Sequence, residues 1–188
     1  MKKAAAALLL LCLSLAILAA TPQAPPAKDT PQAVITAFYT LTQKLGSHGV
    51  PGKADLPQLK PLLSERLFKL LSDASAAEEL YKKKTRNEVP PLVEGDLFSS
   101  LAEGPTAFKA GPCDLKGAEG TCLVALTYAD SDPKNKTEWQ DKFYLVKGPA
   151  GWRIDDLEYL ATWAFGNKGR LQQILRDVIK EANEDLDK

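Results

Sequence analysis

The residues best suited to chemistry in this chain are carboxylates set among large apolar side chains. Within 138–147 the odd positions read Trp139, Asp141, Phe143 and Leu145, and within 152–160 the even positions read Trp152, Ile154, Asp156, Glu158 and Leu160. Side chains alternate faces along a strand, so each set shares one face. A four-residue hairpin loop at 148–151 would set Lys147 opposite Trp152, Leu145 opposite Ile154, Phe143 opposite Asp156, and Asp141 opposite Glu158. Three carboxylates would then lie among six large apolar residues. A carboxylate in such surroundings raises its pKa, recruits a cation or marks a wet cavity, and a wet cavity is where proton transfer or ligand orientation takes place. Two readings compete with a cavity. The acids sit at a solvated end of the sheet, or a one-residue change of register sends Asp155 inward instead. Lys109, Lys142 and Arg153 are candidate cross-strand partners that would make the acids structural.

Other reactive residue types are sparse. His48 is the single histidine and falls in a glycine- and proline-rich stretch without a nucleophile or second ligand beside it. HExxH, GxSxG and a glycine-rich phosphate loop are all missing, so the sequence names no catalytic set, metal site or cofactor. Of the three cysteines, Cys12 lies in the N-terminal apolar run. Cys113 and Cys122 remain; in an oxidising compartment they pair and staple a hairpin whose turn lies between them. Trp163 and Phe165 precede the last helix and either lid the core or wall a pocket.

The elements that position these residues follow from periodicity. Thr30 caps a helix with Pro31 in its first turn; Val34, Phe38, Leu41 and Leu45 repeat at helical spacing until Gly46. Residues 46–58 read as a surface loop. Leu62, Leu63, Leu67, Leu70 and Leu71 line a second helix; Ala76, Ala77, Leu80 and Tyr81 line a third, which Asp73 would cap. A basic run, 82–86, closes it. Beyond Pro90-Pro91 the pattern becomes extended, with strands expected at 106–111, 121–129, 138–147 and 152–160. A last helix begins near Lys168 with Asn167 as its cap and a stripe of Leu171, Ile174, Leu175, Val178 and Ile179. Helices, then strands, then a helix make an α+β domain with one face of a four-stranded or larger antiparallel sheet covered.

The N-terminus carries a further instruction. Met1-Lys2-Lys3 precedes an uncharged apolar run over 4–20 and then a Pro/Ala-rich stretch, the layout of a secretory signal cut near Ala20. Residues 1–20 are thus the signal, 21–29 a disordered linker and 30–188 a single domain, exported to the periplasm or beyond. Losing Lys2 and Lys3 leaves 22 basic against 24 acidic residues. A net charge near −2 points to neither nucleic acid nor an anionic membrane as partner, and no span remains after cleavage. Cys12 follows Leu9-Leu10-Leu11, whereas a lipid-bearing cysteine needs a small residue before it.

Several short motifs add a resemblance: Phe38-Tyr39, the run 91–98 (PLVEGDLF), Trp139-x-Asp141, Trp152-Arg153-Ile154-Asp155-Asp156 leading to Tyr159, and Gly169-Arg170-Leu171. Over roughly 30–180 the chain resembles domain-of-unknown-function family 3828, YbjP-like exported envelope proteins of bacteria. The resemblance implies an NTF2-like, or cystatin-like, cone of helices across a curved antiparallel sheet, with a mouth that holds a ligand. It brings no catalytic residue. Its lipoprotein members place a cysteine directly after the signal, and this chain departs from them there. Were the cone a proton-transfer site, Asp141 and Asp156 would be its acids, with Tyr39, Tyr128 or Trp139 orienting the ligand. The expectation is an exported, non-enzymatic domain that binds a small molecule or an envelope protein; an acid/base enzyme and an immunity or inhibitor-type protein are the alternatives.

Overall fold

The structure is a computed structural model that describes residues 30–46, 48–85, 95–132 and 134–186. The signal, the linker, Arg86, Pro90-Pro91 and the first half of the 91–98 motif lie outside the described residues.

Helix α1 (Pro31–Leu45) starts as its sequence dictates: the Thr30 hydroxyl accepts from the Ala33 amide at 3.2 Å, and Gly46 ends it with a φ of 60°. Helix α2 (Leu56–Leu59) and a 3₁₀ turn (Lys60–Leu62) form inside and just beyond the stretch expected to be loop. The two helices expected next are one, α3 (Glu65–Lys84), capped by Ser64 rather than broken at Asp73. Asp73 lies inside it and pairs with Lys69 one turn earlier. The buried face runs on through Leu67, Leu71, Ala74 and Glu78, whereas Ala76 and Leu80 of the expected third stripe are exposed, so their apolar character reads as a second helix only when packing partners are unknown.

Five strands follow in sequential antiparallel order: β1 (Ala107–Lys116), β2 (Glu119–Ala129), β3 (Lys136–Gly148), β4 (Gly151–Tyr159) and the short β5 (Gly169–Arg170). Helix α4 (Leu171–Leu186) closes the fold and packs chiefly on α3. This is the α+β layout expected, with helices laid across an antiparallel sheet and a fifth strand added. β1 and β2 meet in a tight turn with Lys116 opposite Glu119, so the strands run further than the expected turn at 114–121. The disulfide joins Cys113 to Cys122, directly opposed in neighbouring strands with Cα atoms 4.2 Å apart.

The β3–β4 pairing decides the fate of the acids. Gly148 opposes Gly151, Lys147 opposes Trp152 and Leu145 opposes Ile154, but Asp155 is then an extra residue, and Tyr144 pairs with Asp156. A bulge of one residue inverts the alternation beyond it. Phe143 therefore faces Leu157, not Asp156, and Asp141 faces Tyr159, not Glu158. Trp139, Asp141, Phe143, Leu145, Trp152, Ile154, Leu157 and Tyr159 are buried, whereas Glu158 is half-exposed on the outer face beside Tyr144 and Lys142. The expected cluster of three acids on one face is thus divided by the bulge.

The helix-facing side of the sheet is filled. Phe38 of α1 makes edge-to-face contacts with Tyr39, Phe98 and Phe143 at centroid separations of 5.0–6.0 Å. Tyr39 stacks on Phe108 at 5.1 Å. Turns over 95–104 bury Leu97, Phe98 and Leu101 above Asp141 and Tyr159. Rings packed in this way contribute about 0.5–1.5 kcal/mol per pair beyond their burial.

Candidate functional site

Asp141 is fully buried, and each carboxylate oxygen accepts two hydrogen bonds. One accepts from the Ser100 amide (2.8 Å) and the Trp139 indole N–H (3.1 Å), the other from the Ser100 hydroxyl and the Leu160 amide (3.0 Å). The Ser100 hydroxyl in turn accepts from the Ala161 amide. Four donors compensate the loss of water that an isolated buried carboxylate would suffer. Asp141 has no lone pair left for a substrate. It ties the 95–104 turns, β3 and the exit of β4 into one node.

Asp155 and Asp156 do the same for two helix starts. Asp155 accepts from the Ser64 hydroxyl at 2.7 Å and pairs with Arg66, fastening the first turn of α3. Asp156 accepts from the Gln172 amide at 3.0 Å and pairs with the Arg170 Nε at 2.9 Å, so it takes the capping role expected of Asn167 at the start of α4. A carboxylate at a helix N-terminus meets unpaired N–H groups and the positive end of the dipole. Asn167 instead donates its side-chain amide to the carbonyls of Asp96 and Ser99. The partners are Arg66, in the first turn of α3, and Arg170 of β5, just before α4, not Lys109 or Arg153; of the cations expected, Lys142 does pair, with Glu158 at 3.1 Å.

Glu158 accepts from the Tyr144 hydroxyl and from Lys142, and both hydrogen bonds hold its carboxyl below the usual range while raising the Tyr144 phenol and the Lys142 ammonium. Arg170 lies 3.8 Å over the Tyr144 ring and completes this outer cluster. Tyr39 is buried, donates to the Phe98 carbonyl at 3.0 Å, and has its phenol pushed far up by burial. Tyr128 is half-buried at the far end of β2, opposite Thr137. Of the candidates, Asp141 and Trp139 share a contact; Asp156, Glu158, Tyr39 and Tyr128 are dispersed.

Asp96 was not foreseen as a site residue. Burial pushes its carboxyl up to about 6, against an ordinary 3.8, with the Phe98 amide and the His48 charge opposing that rise. It sits at the base of a cleft with His48, Gln43 and Glu103. The run 91–98 contained it, but nothing local in a loop sequence signals burial.

The feature that sequence reasoning left open is the stretch 160–167. It leaves β4 along the end of β3 and carries Trp163 and Phe165. Trp163 meets Trp139 edge-to-face at 5.7 Å, and Phe165 stacks on Trp163 at 5.8 Å with rings 11° from parallel. Phe165 is 65% exposed, so it is no core lid. Ala125, Thr127, Glu138, Trp139, Gln140, Thr162 and Trp163 surround an open cleft of about 620 Å³ on the outer side of the sheet. Leu160 and Ala161 fix one end of the stretch through Asp141 and Ser100, and Asn167 fixes the other through the Ser100 carbonyl at 3.0 Å. Gly166, at φ 91°, packs so closely on that carbonyl that a Cβ would collide with it.

These features frame the comparisons with known proteins. No family model matches the chain. It is 29% identical over 127 residues to the uncharacterised lipoprotein YbjP of Escherichia coli (strain K12), an alignment covering 65% of this chain and 66% of that protein. The chain is thus a distant homologue of a bacterial lipoprotein to which no specific function is assigned, a kinship that suggests, with the disulfide, an exported envelope protein. A solution structure of a SEC-C motif containing protein from Rhodopseudomonas palustris aligns with 72% of this chain and 81% of its own at 12% identity and a TM-score of 0.40. Among the described residues no helix is long and apolar enough to cross a membrane.

Proposed function

We propose that this chain is an exported, non-enzymatic binding domain of the bacterial cell envelope, and that its ligand sits in the outer cleft beside Trp139 and Trp163 rather than inside the helix-covered sheet. One observation carries the reading. The acids that would do chemistry are consumed by hydrogen bonds within the fold, while the 160–167 stretch holds aromatic rings open to solvent on a backbone pinned at both ends. An exposed ring gives up burial free energy of about 25 cal/mol for every Å² of apolar surface left in water, so a rigidly presented aromatic pair suits a partner that covers it. The sequence layout of the signal, the Cys113–Cys122 bridge and the likeness to YbjP support the envelope setting. The filled interior weighs against an acid/base enzyme in the cone.

Two measurements test this. Intact mass of the product recovered from the periplasm should correspond to a chain beginning at Thr21 with one disulfide. Thermal-shift screening of that product against defined envelope components (glycan oligomers, muropeptides, phospholipid headgroups) should yield a shift that Trp163→Ala abolishes without lowering the unliganded Tm by more than about 5 °C. A shift that survives Trp163→Ala yet disappears in a stably folded Asp156→Asn protein would return the ligand to the interior acids.

A further inference from the structure

The chemistry of the outer cleft narrows the ligand class, and the inference rests on the cleft being the binding site. Its wall is half aromatic and half polar. The aromatic part is the Trp163 ring, braced by the edge contact with Trp139, while Phe165 stacks on Trp163 just outside the lining. Trp139 cannot turn away, because its indole N–H is held by Asp141. The polar part offers no unpaired charge: the side chains of Thr127, Gln140 and Thr162 make no hydrogen bond among the described residues, and the Glu138 carboxylate forms a surface ion pair with Lys136 at 2.5 Å. Thr127 lies opposite Glu138 in the β2–β3 ladder and Gln140 two residues along, so these groups share the outer face next to the aromatic wall.

A ligand matched to this wall needs a flat apolar face for the rings and several neutral hydroxyl or amide groups for the polar rim. Pyranose sugars meet both needs, since axial C–H groups make one ring face apolar while equatorial hydroxyls line its edge. An anion finds no free cation in the wall, and a cation finds only a carboxylate already paired. The cleft is open, which admits a residue within a longer chain as readily as a free monosaccharide. We infer that the cleft binds a neutral saccharide, with Trp163 as the stacking platform, Phe165 as the ring that braces it, and Gln140, Thr127 and Thr162 as hydrogen-bonding partners.

Titration of the mature protein with chitohexaose and with maltohexaose, followed by tryptophan fluorescence and calorimetry, tests the inference. Stacking on the half-exposed Trp163 should shift its emission, and at least one of the two glycans should bind saturably. Trp163→Ala should weaken that binding about tenfold or more and Phe165→Ala or Gln140→Ala by about three- to tenfold, with Trp163→Phe restoring most of it. Phe165, Gln140 and Thr162 are exposed, so their variants keep the fold and report on the cleft alone. No saturable binding of either glycan, with a Trp163-dependent response to an extended apolar peptide, would overturn the saccharide assignment and leave the cleft as a peptide site. Glycan binding that is indifferent to Trp163, Phe165 and Gln140 would overturn both the assignment and the cleft as the site of function.

Discussion

The two sides of the β-sheet treat polar groups in opposite ways. On the helix-facing side, every buried side-chain nitrogen or oxygen among the described residues has a partner, and Asp141 alone absorbs four donors. On the outer side, Thr127, Gln140 and Thr162 leave their hydrogen-bonding capacity unused beside exposed rings. Burial accounts for the contrast: away from water an unpaired group costs about 1–3 kcal/mol, whereas at the surface water fills the vacancy at little cost until a ligand replaces it. Acids in a core are therefore poor evidence of chemistry when their partners are many, and unpaired neutral groups beside a fixed aromatic wall are better evidence of recognition.

The largest test of this contrast is Asp141→Ala, which strands four donors in the core and should lower the unfolding free energy by about 4 kcal/mol or more in urea titration. It should also loosen the 160–167 stretch, seen as faster amide exchange at Leu160 and Ala161. A loss below about 1 kcal/mol would mean that water enters the node, and the interior would no longer differ from the cleft.

Asp96 sharpens the same contrast through pH. Its folded pKa is raised to about 6 from 3.8, so the stabilisation tied to its protonated form is complete below about pH 4 and is lost as pH rises through about 6. Asp96→Asn keeps an acceptor for the Phe98 amide and has no proton to lose. Relative to the parent, the variant should gain up to about 3 kcal/mol between pH 4 and pH 7. Parallel pH profiles for the two proteins would show that Asp96 is solvated like an outer-face acid.

Reducing the Cys113–Cys122 bridge, or replacing both cysteines by serine, should cost about 2–3 kcal/mol, because the closed loop is short. The effect should appear in stability and leave cleft binding within about twofold, since the bridge lies away from the 160–167 stretch. The smallest stability change belongs to Trp163→Ala, about 1 kcal/mol or less by chemical denaturation, together with the largest loss of binding. Equal losses of both would erase the distinction between the two sides.

Much of this was legible in the residues. Thr30 with Pro31, the apolar stripe to Leu45 and the stop at Gly46 define α1 by local rules alone, because caps and periodicity act within one turn. The strands, their hairpin order and the last helix follow likewise, as does the pairing of the two cysteines that remain outside the N-terminal apolar run. The α+β class needed nothing beyond these local signals. What the tertiary structure decided was the orientation of single residues. Up to Leu145 and Ile154 the register obeys simple alternation, and one extra residue at Asp155 then reverses every face beyond it. Local sequence carries little trace of that bulge, because Asp155 is stabilised by Ser64 and Arg66, some ninety positions earlier in the chain. The same long-range hydrogen bonding ties Asp141 and Asp156 into the fold, and it is the tertiary structure that leaves the Phe165 ring of the 160–167 stretch facing solvent.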